Sequence, residues 1–343
     1  MKEYVEFRIP EKYAERFLSP DQGQQLGDSV RKLTVATNDP LYERIRIIEE
    51  QQQKRGEFFF LGWEIKHRYS AEELTAAQLF SLAITAVFEP TGEECGTIYD
   101  ESTACKICEA GRKQKSSLTL DLRKAPKGKD LARTIADEWI ISQRLAEIFV
   151  NEKITGFELH PVLHKTRYQD EPIDLKLVPT GRKILDLAED AGLSQTNWEF
   201  YVWLNRPELD EMMLRAEEEH AILLERRDIK RKICLPIWYQ CVVTSQPIPT
   251  ISPTRFGIHP FDEDVEGRYR CPLGHVSGQS LLSEVFVLSS DYDGSDINIT
   301  DDMVGIRRGL LVPSPLLLIS PKLWQVLKAN DIKGYRIDVA HLI

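Results

Sequence analysis

Two thiols separated by two residues, Cys105-Lys-Ile-Cys108, are the sharpest chemical signal in this sequence. That spacing lets both sulfurs face one tetrahedral ion from a single tight turn, the arrangement structural zinc sites use. A second cysteine turn, Cys271-Pro-Leu-Gly274-His275, stands far along the chain, with Cys271 offset from Cys105 by 271 − 105 = 166. Two ligand sets satisfy a tetrahedral ion. In one, both turns contribute Cys105, Cys108, Cys271 and His275. In the other, Cys95, Cys105 and Cys108 form a local site with one further ligand. Four protein ligands leave no position for water, so the zinc expected here is structural. Nothing around Cys105 resembles the strand-to-helix setting of a redox CxxC.

Other chemistries find little support. There is no GxSxG elbow, no Cys/His pair in a recognisable setting and no phosphate-cradling glycine loop. Asp291-Tyr-Asp293-Gly-Ser-Asp296 imitates a calcium loop, but its glycine stands at the fourth position and no Glu follows at the twelfth. Turn stabilisation is the expected role of these aspartates. His160 and His164 flank one strand end and are the histidines best placed to face a pocket. Arg307-Arg308-Gly309 reads as a solvated hairpin, and the Asp and Ser side chains of the stretch from Tyr99 to Thr103 as a cap for the first cysteine turn. A non-catalytic protein is the expectation, and an enzyme with a site between two repeated parts is the alternative.

The elements that must position the cysteines repeat. Cys105, Asp130 and Thr134 reappear as Cys271, Asp296 and Thr300, all at the same offset of 166. Ser142, Leu145, Gly156 and Phe157 reappear as Ser320, Leu323, Gly334 and Tyr335, at an offset of 178. The difference, 178 − 166 = 12, places an insertion around 305–313. In each copy a strand precedes a Ser-initiated helix, 144–151 and 322–329, and a glycine opens the next strand. Pro321 suits the first helical position, where its missing N–H is not needed. Further strands are expected over 4–9, 58–67, 79–88, 118–122 and 284–288, and helices over 10–17 and after the Ser70/Glu73 capping box. The stretch 23–40 reads as a polar loop. Between the copies the composition becomes helical, with the longest helical pattern at 207–233. The expectation is an α+β fold of two similar mixed α/β units, each with a zinc-knuckle-like turn. Its ranges are 1–164 and 236–343, with a helical insertion at 165–235 between them.

Bulk properties narrow the function classes. The net charge of −10 argues against nucleic acid, which selects basic surfaces. Residues 186–219 carry ten acids against two bases, a surface suited to a basic partner. No apolar run reaches the roughly 18 residues of a membrane span. The first residues alternate charged and apolar side chains with no signal-peptide core, so a cytoplasmic protein is expected. Six cysteines in such a chain do not make a disulfide framework, and Cys234 and Cys241 read as small core residues.

With these residues in place, the chain resembles the bacterial proteins that carry a double CxxCG motif, found among immunity proteins of polymorphic toxin systems. Cys105, Cys108, Cys271, Asp130, Asp296, Ser142, Ser320, Gly156 and Gly334 carry the resemblance. Glu109 replaces the first motif's glycine, and the second motif has Gly274 and His275 where its second cysteine would be. This makes His275 a substitute ligand. The resemblance implies a non-catalytic cytoplasmic protein that binds and neutralises a cognate toxin, with a structural zinc. The competing reading without a toxin is a zinc-ribbon adaptor.

Overall fold

A computed structural model describes residues 1–108, 110–165, 236–268, 270–273, 275, 279–305 and 311–343. The expected helix at 207–233, the acidic run at 186–219, Cys234 and Arg307-Arg308-Gly309 lie outside these residues. Mixed helices and sheets make the fold α+β.

The N-terminal part is a four-stranded antiparallel sheet. Its strands are β1 (Lys2–Pro10), β2 (Gln24–Leu26), β3 (Val30–Ala36) and β4 (Gly62–Arg68), in the order β2-β3-β1-β4. Val5, Phe7 and Ile9 of β1 alternate into a core shared with α1 (Glu11–Phe17) and α2 (Pro40–Gln53). Asp39 caps α2 by accepting from Leu41 N–H at 2.8 Å. The polar loop expected over 23–40 in fact holds two strands, the edge strand β2 and the central strand β3. In β3 one inward position is charged. Its inward positions are Arg31, Leu33 and Val35, and the guanidinium at Arg31 breaks the apolar alternation. Glu11 neutralises that buried charge, so the position remains a strand position. The strand expected over 58–67 begins later, at Gly62. Before it, the turn buries Phe59 and Phe60, and Phe59 N–H donates to the buried Glu49 at 2.7 Å.

After α3 (Ala71–Ala76), which the Ser70/Glu73 capping box starts, come β5 (Leu79–Ile84) and β6 (Val87–Phe88). The short strands β7 (Tyr99–Asp100), β8 (Lys113–Gln114) and β9 (Thr119–Leu120) follow. A hairpin of β10 (Leu131–Thr134) and β11 (Trp139–Ser142) then leads into α4 (Gln143–Asn151), β12 (Phe157–Pro161) and β13 (Leu163–His164). The C-terminal part begins with β14 (Trp238–Val243), β15 (Phe256–His259), β16 (Asp262–Glu263), β17 (Ser280–Leu281) and β18 (Val285–Val287). Its hairpin, β19 (Ile297–Val304) with β20 (Ser314–Ile319), leads into α5 (Pro321–Ala329) and β21 (Tyr335–Leu342).

Two five-stranded sheets form, β12-β14-β11-β10-β6 and β18-β21-β5-β20-β19. Each is completed by a strand from the other half. β14 runs between β11 and β12, pairing Ile141 with Tyr239 and Phe157 with Val243. β5 runs between β20 and β21, pairing Ile319 with Phe80 and Tyr335 with Ile84. The registers correspond residue for residue: 319 − 141 and 335 − 157 are both 178, while 239 − 80 and 243 − 84 are both 159.

The helix starts match as well. Ser142 Oγ accepts from Leu145 N–H at 3.2 Å and donates to Asp130 at 2.8 Å. Ser320 Oγ accepts from Leu323 N–H at 3.1 Å and donates to Asp296 at 2.6 Å. Gly156 (φ 90°) and Gly334 (φ 107°) both need a left-handed backbone. A Cβ at either would lie 2.2 Å from a carbonyl oxygen of the other half, Ile297 for Gly156 and Leu131 for Gly334.

The helices α4 and α5 bury Leu145, Phe149, Leu323 and Leu327 in one core with Phe80, Leu82, Cys241 and Ile319. Residues 1–163 and 237–343 therefore form one compact unit. The expected ranges 1–164 and 236–343 are not two separable bodies, because each sheet contains a strand of the other half.

Candidate metal centre

The first cysteine turn hangs from the ladder of β7 and β8. Cys105 N–H donates to Ala110 C=O at 2.8 Å, and Thr103 Oγ1 donates to Gly111 C=O at 3.2 Å, closing the turn. Asp100 Oδ1 accepts from Ser102 N–H at 3.0 Å and caps the short turn that enters it. The Ser102 hydroxyl, which donates to the same oxygen at 2.5 Å, and then Lys115 hold the Asp100 carboxyl down at about 2. The second turn lies between β16 and β17, where Cys271 N–H donates to His275 C=O at 2.9 Å.

The two turns meet. Cys105, Cys108, Cys271 and His275 each present one ligand atom, all within 4.8 Å of one another. The Cys105 and Cys271 sulfurs are 3.8 Å apart, and Cys108 Sγ lies 3.3 Å from His275 Nδ1. Zinc–sulfur bonds of about 2.3 Å set tetrahedral sulfurs about 3.8 Å apart, and a sulfur and an imidazole nitrogen about 3.5 Å apart. The donor set thus fits a tetrahedral ion of that size. The backbone N–H groups of Cys108 and then Ile107 point at Cys105 and hold its thiol down to about 6, against the upward pull of burial. Such a thiol is largely thiolate at neutral pH, the form that binds metal. Leu273 N–H approaches Cys271 Sγ at 3.5 Å in the same manner.

Of the sequence-predicted ligands, Cys95 does not join this group. It closes a short turn, Glu93–Cys95, of which it alone is buried, and the turn ends at the left-handed Gly96. Chain proximity to Cys105 suggested it, but the fourth donor comes from the far turn. A supporting residue carries no motif: Glu138 is buried, accepts from Gly92 N–H at 2.9 Å, and also takes the hydroxyls of Tyr99 and Thr134. It ties the loop bearing the first turn to the β10–β11 hairpin. A carboxylate directly before the apolar run Trp139-Ile-Ile was the available signal.

The remaining candidates fall outside the centre. His160 is exposed on β12, with Nε2 3.2 Å from Glu158. His164 ends β13. Asp293 accepts from Ser295 N–H at 2.8 Å within its own turn, whereas Asp296 accepts from Thr155 N–H at 3.1 Å and from Ser320 and so joins distant segments where a turn role was expected. Cys241 is a core residue whose thiol burial pushes up. Among the described residues no helix is long and apolar enough to cross a membrane.

No family model, no curated protein and no solved structure matches this chain.

Proposed function

We propose that this chain is a non-catalytic binding protein of the immunity type, which occupies and neutralises a cognate toxin in the cytoplasm and is stapled by one structural zinc. The observation that carries the reading is the donor set: three thiols and one imidazole from two distant turns, with no fifth side chain grouped with them among the described residues. A closed set of four supplies fold stability rather than an open position for substrate. Cys105 and Cys108 hold one side of the ion, Cys271 and His275 the other. The ion would fasten the two strand-exchanged halves at a point where no sheet joins them. The repeated caps, registers and glycines support reading the halves as copies of one unit, as the double-motif resemblance implies.

Co-expression with the protein encoded immediately alongside tests the role. Killing by that neighbour, and rescue by this chain through a stable complex, is the expected result. A harmless neighbour, or rescue without binding, overturns it. The acidic run at 186–219 is the first place for charge reversal, because electrostatic complementarity sets the association rate with a basic partner. Unchanged binding after reversal removes that run from the contact.

A further inference from the structure

A cavity of about 380 Å³ opens between the edge strand β4 of the N-terminal sheet and the strands β5, β20 and β21, with the β10–β11 hairpin at one side. Its size is that of a small-molecule pocket. Trp63 and Trp139 contribute apolar wall, and three carboxylates, Glu64, Asp137 and Asp338, line it.

Every one of those carboxylates is engaged within the protein. Glu64 binds Arg336 through one oxygen and meets Lys66 through the other at 3.3 Å. Asp137 accepts from Arg133 at 2.8 Å and is also hydrogen-bonded by Ser314. Asp338 meets His67 at 3.0 Å through one oxygen and lies 3.7 Å from Arg336 Nε through the other. The donors are in the opposite condition. Arg133 uses Nε on Ile84 C=O at 3.1 Å and Nη1 on Asp137, which leaves Nη2 uncommitted among the described residues. Arg336 commits Nη1 to Glu64, while its Nε is buried without a hydrogen-bond partner 3.7 Å from Asp338 and Nη2 is uncommitted among the described residues. The indole N–H groups of Trp63 and Trp139 have no hydrogen-bond partner among the described residues. His67 adds positive charge: burial opposes protonation, but the Asp338 and Glu3 carboxylates together raise its pKa to about 9.

We infer that this cavity is a binding site for a small acid, an oxyanion carried on one apolar ring. The spent acceptors and spare donors of the wall select a ligand rich in acceptors. Two guanidinium edges match a carboxylate or phosphate in geometry as well as charge, while the two indoles cover the ring. Asp137 is held in a left-handed conformation (φ 63°) at the hairpin turn, which fixes where the Arg133 fork points. The site is independent of the metal centre and of any toxin.

The test is a titration of the full zinc-loaded chain, read by tryptophan fluorescence and by calorimetry. The probes are phenyl phosphate, phenylacetate, inorganic phosphate and phenyltrimethylammonium. Saturable binding of the two ring-bearing anions is expected, with a dissociation constant on the order of a millimolar or below. Weaker binding of inorganic phosphate is expected, and none of the cation. Arg133→Lys should weaken phenyl phosphate roughly tenfold by removing the planar fork. Trp139→Phe, which keeps a ring, should weaken it less. The proposal is overturned if neither anion saturates, if the cation binds as well as the anions, or if both variants bind like the parent chain.

Discussion

The two halves of the core are built alike and finished differently. Both start a helix with a serine that donates to an aspartate, Ser142 to Asp130 and Ser320 to Asp296. Both set a basic side chain on that aspartate, Arg144 at 3.0 Å and Lys322 at 2.9 Å, and each base also reaches a carbonyl of the other half, Asn330 or Lys153. The strand after the helix is where they part. Positions 158 and 160 of β12 are an exposed Glu–His pair, whereas the corresponding 336 and 338 of β21 are Arg and Asp, which grip Glu64 and His67 of β4. At these positions β21 grips the N-terminal sheet and β12 does not. Contacts that join the halves are repeated, and contacts that recruit an extra part are not.

The largest expected effect tests the repeated part. Gly156→Ala and Gly334→Ala each add left-handed strain of about 1–2 kcal/mol and a clash with a carbonyl of the other half, worth about 1–3 kcal/mol more. Similar losses in denaturant midpoint are expected at the two positions. A large loss at one and none at the other would break the equivalence. Gly128→Ala, where a Cβ meets open space, should show the strain alone.

The metal comes next. On the proposed reading, elemental analysis of purified protein should find about one zinc per chain, a small fraction of that in Cys108→Ser and no loss in Cys95→Ser. Chelation should lower the melting temperature by on the order of 5–10 °C. Retained folding and melting temperature in metal-free Cys108→Ser would keep the ligand assignment and discard the structural role. Smaller again, Ser142→Ala and Ser320→Ala should each cost about 1 kcal/mol, and unequal costs would locate where the halves have diverged.

The last prediction probes the unrepeated part. The pKa of His67 is raised in the folded state from 6.5 to about 9, so its contribution is complete below pH 6.5 and is lost as pH rises through about 9. Protection factors of the β4 amides, with the intrinsic base-catalysed rise in exchange divided out, should fall across that window. His67→Gln should flatten the dependence, and a flat profile in the parent chain would remove His67 from the docking contact.

What the sequence disclosed was local. The caps at Ser70, Ser142 and Ser320 and the two cysteine turns rest on residues a few positions apart, and the common offset of 166 paired the turns. The exchange of β5 and β14 was not legible, because a buried strand reads the same whichever sheet receives it. Phe80, for one, pairs with Ile319, 319 − 80 = 239 residues further on. β3 was hidden by one inward arginine, whose partner Glu11 belongs to another element. Cys95 was overvalued because nearness along the chain is a poor guide to which donor completes a tetrahedron.

The exchanged strand β5 also sets an order of events during synthesis. Its last residue, Ile84, pairs with Tyr335, which the ribosome adds 335 − 84 = 251 residues later. At about 5–20 residues per second, that is a delay on the order of ten seconds to a minute. Throughout it the apolar edges of β5 have no sheet to join, and the nascent chain must be shielded or fast to close on release. A transcript cut short before β21 leaves β5 paired on one side alone and separates β18 from that sheet, while every strand of the sheet around β14 is already made.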